Sequence, residues 1–186
     1  MAKSSLPFVK RVWTSFLASS GLEPTLIPHL QIIDATPGRV FMELNVEKPH
    51  TVRNPILVSS PGNRLSILHG GTIASIVDLA GSLAIASRGM FATGVSTDLN
   101  VTYLSSGGAV GEKIYIESRC HKMGRSLAFT TISFFKDARN SVPASHSHPW
   151  HSGQPAHREL FARGTHTKYI ANALKDPQNE LEKYRH

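Results

Sequence analysis

Asp78 is the only ionisable residue between Thr72 and Ser87, in a stretch, HGGTIASIVDLAGSLAIASRG, whose small and aliphatic residues run all the way round a helical projection. A carboxylate in apolar surroundings costs several kcal/mol unless it is paired, hydrogen-bonded or protonated. Such an acid is either tied to a neighbouring hydroxyl as part of the fold or kept for proton transfer or nucleophilic attack, and the helix pattern alone leaves both readings open. A bilayer-spanning reading is weaker, because Asp is costly at a bilayer centre and Gly81 and Ser82 add little hydrophobicity. At the head of the same stretch stand His69, Gly70 and Gly71. Unpaired N–H groups and the positive end of the helix dipole meet there, and glycine lets a ligand approach the backbone, which is the arrangement of an anion or oxyanion site. By itself the tripeptide is a weak signal, since glycine near a helix start is common.

The elements that must hold these residues follow from periodicity. The segment from Gly70 predicts a buried helix of about 18 residues, roughly 27 Å long. Before it, RVFMELNVE alternates, with Val40, Met42, Leu44 and Val46 on one side and Phe41, Glu43, Asn45 and Glu47 on the other, which predicts a half-buried strand. Three further strands are expected at 95 to 104, 113 to 122 and 126 to 135, the last two joined by a hairpin at Met123-Gly124-Arg125. Another is expected at 159 to 170, after the insertion NSVPASHSHPWHSGQPAHR. The resulting class is α+β, an antiparallel sheet wrapped around one long central helix. Val9, Val12, Trp13, Phe16 and Leu17 predict an N-terminal helix that packs on the core, in a segment whose basic and serine-rich character faintly resembles a mitochondrial address. The tail from Ala171 is polar and reads as a frayed helix or disordered. The expected organisation is residues 1–25 as N-terminal helix or targeting segment, 26–170 as the domain with insertions near 51–62 and 140–157, and 171–186 as tail.

The chain of 186 residues suffices for one substantial core. Its net charge of +7 favours anionic partners without naming them. The single cysteine, Cys120, excludes an internal disulfide, so stability does not depend on an oxidising compartment, and a cytoplasmic or mitochondrial-matrix location is expected. No nucleic-acid-binding motif and no transmembrane segment are recognisable.

The segments ATPGRVFMELNVEKPHT, NRLSILHGGTIASIVD, GVSTDLNVTYLS, KMGRSLAFT and RGTHTKYI, in this order, resemble the PaaI-type hotdog thioesterases. They are most similar to the mammalian-type acyl-coenzyme A thioesterases known as thioesterase superfamily members. The resemblance runs from about Leu26 to Ile170 and keeps the spacing Asn63, five residues, His69-Gly70-Gly71, six residues, Asp78. It implies a hotdog fold, hydrolysis of acyl-coenzyme A (acyl-CoA) to free acid and CoA, and homo-oligomers, either dimers or tetramers of hotdog dimers. No cofactor is implied, CoA being part of substrate and product.

By the same resemblance Asp78 is the general base or nucleophile, the Gly70 N–H is the oxyanion donor, and His69 helps polarise the carbonyl. Asn63 and Ser96 position the water or the acid. Asp98 and Asn100 share the alternating face of Ser96 and rank below it. Substrate and CoA contacts fall on Gly71, Tyr103, Lys122, Gly124, Arg125, Ser126, Lys168 and Tyr169, with Lys122, Arg125 and Lys168 set against the phosphates. A longer loop after Thr51 leaves Asn54 as a second candidate for the family asparagine, and ungapped spacing favours Asn63.

The histidines of the late insertion, His146, His148, His151 and His157, beside Trp150, suggest a metal cluster, but neither Cys nor acid completes a ligand set within it. The expected metal content is therefore none. Two rival functions on the same fold are a non-catalytic acyl-CoA-binding protein and an enoyl hydratase or dehydratase. Retention of Asp78 with Asn63, His69, Gly70 and Ser96 argues against the first, and the second needs a different acid and base pair.

Overall fold

A computed structural model describes residues 3–51, 67–138 and 158–184. Helix α1 (Leu6–Ser19) begins with Pro7 in its first turn and buries Phe8, Val9, Val12 and Trp13, spaced to form one apolar face. Phe16 and Leu17 pack against the same core from its margin. A short α2 (Glu23–Leu26) leads into β1 (Gln31–Thr36) and β2 (Arg39–Asn45), followed by a 3-10 turn at Lys48–Thr51. Then come α3 (Gly70–Ala86), β3 (Val95–Tyr103), β4 (Lys113–Met123), β5 (Leu127–Asp137) and β6 (Arg158–Tyr169). The six strands form one antiparallel sheet in the order β1-β2-β4-β5-β6-β3, which packs against α3.

Alternation decides which side chains meet the helix. Val40, Met42 and Leu44 of β2, Ile114 and Ile116 of β4, and Ile132 and Phe134 of β5 join Ile73, Ile76, Val77, Leu79, Ala80 and Leu83 of α3 in one cluster. Full burial of each such aliphatic side chain contributes about 1.5–3 kcal/mol. Strand β6 approaches α3 closely. A Cβ added at Gly164 would stand 2.5 Å from Val77 Cγ2, so only glycine lets strand and helix meet there.

Four expectations change. Strand β1 is an unanticipated edge strand, joined to β2 through Pro37 and Gly38, whose φ of +82° suits glycine. The tail is ordered through Tyr184, which is buried with its ring tilted against Phe8 at 5.6 Å between centroids; Arg11 binds Glu180 and the Gln178 carbonyl, and Glu180 N–H donates to the Gly89 carbonyl. Helix α3 is buried on all sides only from Leu79 onward. Its first half leaves Gly71, Ala74, Ser75 and Asp78, one stripe at helical spacing, at least partly open. Finally, a β-bulge between Ser96 and Asp98 reverses the alternation of β3. Leu99 pairs with the inward-facing His166, so Asp98 and Asn100 lie on the opposite face from Ser96.

Candidate active site

Asp78 lies two turns into α3, and its side chain is 49% exposed, so this acid is not sealed in the apolar core. Its Oδ1 accepts a hydrogen bond of 2.9 Å from the Ser96 hydroxyl, delivered from the start of β3. Two residues of β6 stand beneath the pair. Fully buried His166 places Nε2 2.9 Å from Ser96 Oγ and 3.2 Å from Asp78 Oδ1. Lys168 is buried as well; its Nζ donates to Ser82 Oγ at 2.6 Å, and that hydroxyl donates to the Asp78 backbone carbonyl at 3.0 Å.

Burial holds the pKa of Lys168 below that of an ordinary lysine, opposed by attraction to Asp78 and Glu23. Burial likewise pushes His166 below an ordinary imidazole, the Lys168 charge adds to the effect, and Asp78 and Asp98 oppose it. His166 is therefore neutral at physiological pH.

The second cluster lies at the head of α3. His69 is the N-cap, in extended conformation, and its Nδ1 accepts the Gly71 N–H at 2.9 Å. An accepting Nδ1 carries no proton in the neutral ring, so the His69 donor is Nε2–H. Gly71 N–H is thereby engaged within the protein, while Gly70 N–H has no acceptor among the described residues. The start of the helix is braced from two directions. Buried His50 offers its carbonyl to both His69 N–H and the Thr72 hydroxyl, and Tyr103 of β3 donates its hydroxyl to the Gly70 carbonyl at 2.9 Å. Gly70 and Asp78 are eight residues apart on one continuous helix, hence about 12 Å along its axis.

The remaining candidates divide by face. Lys122, Gly124, Arg125 and Ser126 form the exposed β4–β5 hairpin, closed by Gly124 N–H donating to the Leu127 carbonyl. Lys122 pairs with Phe129, and Tyr169 pairs with Leu127 and Val95, on the sheet face turned away from α3. Lys168, expected to meet phosphates from outside, instead points into the core, because strand alternation places it opposite Tyr169. Asn63, its alternative Asn54 and the histidines of the late insertion lie outside the described residues. Among the described residues no group of three or more His, Cys, Asp or Glu could hold a metal ion. No helix there is long and apolar enough to cross a membrane.

His166 and Ser82 were missed as candidates. The available signal was the inward alternation Gly164, His166, Lys168 in β6, which sets two ionisable groups against the core side of a strand.

Three comparisons bear on this geometry. A family model described as Thioesterase superfamily matches residues 65–142. A Schizosaccharomyces pombe protein named as an esterase is 38% identical over 95% of this chain and 91% of its own length, and human acyl-coenzyme A thioesterase 13 is 34% identical over 77% and 81%. The crystal structure of zebrafish thioesterase superfamily member 2 superposes with a TM-score of 0.65 at 31% identity, over 89% of this chain and 97% of that one. Sequence, coverage and fold agree, and the chain belongs to the thioesterase superfamily as a hotdog-fold thioesterase.

Proposed function

We propose that this thioesterase hydrolyses acyl-CoA to a free acid and CoA, with Asp78 as the working carboxylate. The observation that carries the reading is the 2.9 Å bond from Ser96 to Asp78 Oδ1 on the open stripe of α3 that also contains Gly71. As a general base, Asp78 takes a proton from water while the hydroxide oxygen bonds to the thioester carbon and the carbonyl electron pair moves onto oxygen. The Gly70 N–H, the helix dipole and His69 Nε2–H stabilise that oxyanion. Collapse reforms the carbonyl and breaks the carbon–sulfur bond, and the thiolate recovers the proton from Asp78. As a nucleophile, Asp78 would instead form a mixed anhydride that water cleaves. Trapping during turnover separates the two routes, since only the second forms a covalent acyl-enzyme on Asp78, and label from heavy-oxygen water reaches the Asp78 carboxylate only when water cleaves that anhydride at the Asp78 carbonyl.

The 12 Å spacing of Gly70 and Asp78 argues that one thioester meets these residues from two different chains. Strand β3 supports this reading: it is a sheet edge in which eight of nine residues are exposed, among them Val95, Leu99 and Tyr103. Long apolar edges favour pairing with another strand, and a two-fold copy there would bring a second α3 near the open stripe. Lys122 and Arg125 suit the CoA phosphates, with Tyr169 and Phe129 beside them on the outer face. Buried Lys168 is withdrawn from that role.

The test is a panel of acyl-CoA esters with thiol release followed by absorbance, run beside enoyl hydration. Thiol release by the wild type and its loss in Asp78→Asn support the reading. Hydration without thiol release, or binding without turnover, would overturn it.

A further inference from the structure

Buried His166 has no place in the hydrolytic scheme above, and its ring meets polar groups on one edge only. Nε2 touches Ser96 Oγ and Asp78 Oδ1, whereas buried Nδ1 has no hydrogen-bond partner among the described residues. The reason for the bare edge is Gly81. A Cβ there would lie 2.6 Å from His166 Nδ1 and 2.8 Å from Thr130 Oγ1, so the helix presents neither donor nor side chain to that nitrogen. Thr130 makes no hydrogen bond to it either; its hydroxyl donates to the His166 carbonyl.

The tautomer follows from the contacts. A carboxylate oxygen can only accept, so a bare Nε2 lone pair held 3.2 Å from Asp78 Oδ1 would be repelled. The proton of the neutral ring therefore sits on Nε2. A serine hydroxyl has one proton and accepts with its lone pairs; with His166 donating to Ser96 Oγ, that proton is directed to Asp78 Oδ1.

We infer that His166 is a positioning residue which, through Ser96 and directly, occupies Asp78 Oδ1 with donors and so leaves Oδ2 as the oxygen that works on the thioester. The inference rests on the reading of Asp78 as the working carboxylate. It also assigns Ser96 the part of a donor to the carboxylate. The charges acting on the ring are Asp78 from α3, Asp98 from β3 and Lys168 from β6, while its β5 neighbour Thr130 is uncharged. Burial and Lys168 outweigh the two acids and hold the ring's pKa below the ordinary imidazole value, which suits a fixed neutral donor.

Three measurements on the full chain test this. In the wild type, nitrogen NMR of labelled histidine should show His166 as the neutral Nε2–H tautomer across the pH range of activity. An imidazolium or an Nδ1–H form would overturn the inference. His166→Phe keeps the ring volume and removes the donor, so kcat should fall about 10- to 100-fold with KM within about threefold, the scale of losing a hydrogen bond to a charged group. Because donors to a carboxylate stabilise its ionised form, the acid limb of the kcat/KM profile should also move to higher pH. His166→Gln restores an amide donor and should return both kcat and the limb towards wild type. A purely structural role would change stability and leave the limb in place. If Asp78→Asn is inactive while His166→Phe keeps the wild-type kcat and acid limb, the positioning role is wrong and the working carboxylate stands. If Asp78→Asn turns over normally, the parent reading fails first.

Discussion

The two halves of α3 are made of similar residues and do different work. From Leu79 to Ala86 every residue is buried, and the helix acts as the spine on which β4, β5 and β6 pack. From Gly70 to Asp78 a stripe of Gly71, Ala74, Ser75 and Asp78 stays open, and the described groups proposed for carbonyl or water chemistry, His69, Gly70, Asp78 and Ser96, sit on or beside it. The proposed chemistry thus falls where the helix is not sealed, while the sealed half supplies rigidity and touches the candidate site through Gly81 and Ser82.

The sharpest way to break that contrast is to disable each half in turn. Asp78→Asn on the open half keeps the side-chain shape and loses its basicity, so kcat should fall by two or more decades with melting temperature unchanged or slightly raised. Near-normal turnover would remove Asp78 from the mechanism. Gly81→Ala on the sealed half should affect both properties. Its new Cβ meets His166 and Thr130 well inside contact distance, so thermal or denaturant unfolding should show a loss of about 1–3 kcal/mol. The shifted His166 should lower kcat about tenfold, and an unchanged melting curve would mean that the ring has room the structure does not show.

How far this contrast could be read from sequence depends on residue type. Alternation in β2 marked its inward face, strand character located β4, β5 and β6, and the glycines bounding the long apolar run located α3 to within a residue or two. The open stripe was invisible, because Ala, Ser and Gly are at home in a tight interface or an open groove alike, and composition cannot distinguish them. The bulge in β3 was equally hidden. Nothing in STDLN marks an extra residue, yet it moves Asp98 and Asn100 off the face of Ser96 and brings Leu99 onto it. In β6 the alternation Gly164, His166, Lys168 turns Lys168 inward, away from the phosphates that the family resemblance set against it, and brings His166 to Asp78. The tail misled by its polarity, since its order rests on a few anchors, Tyr184 on Phe8 and Asn179 on the Phe91 N–H.

Smaller effects sharpen the same comparison. Replacing Lys122 and Arg125 by alanine should raise KM a few-fold at low salt and flatten its salt dependence, with kcat little changed, because exposed charges are screened and act on binding alone. Wild-type KM at low salt would place the nucleotide elsewhere. The smallest effect concerns stability against pH. His166 and His50 both have folded-state pKa values below the ordinary 6.5, so between the two values the unfolded chain binds more protons. Their contribution is complete above about pH 6.5 and is lost as pH falls through the folded-state values. Denaturant melts at stepped pH should show this acid-side decline, and His166→Phe should remove one part of it.

The claim that one thioester is worked on by the open halves of two α3 helices has a direct test in subunit mixing. Gly70→Pro deletes the proposed oxyanion donor at the first helical position, where proline is tolerated and where the extended His69 before it suits a following proline. Asp78→Ala deletes the carboxylate. Each variant alone should be inactive. After exchange between them, half of randomly formed dimers are mixed, and each mixed dimer carries one site with both residues intact and one with neither. Activity should therefore return to about a quarter of the wild-type level. If exchange is verified and the mixture stays inactive, Gly70 and Asp78 serve the same site from the same chain, and the two-helix account is contradicted.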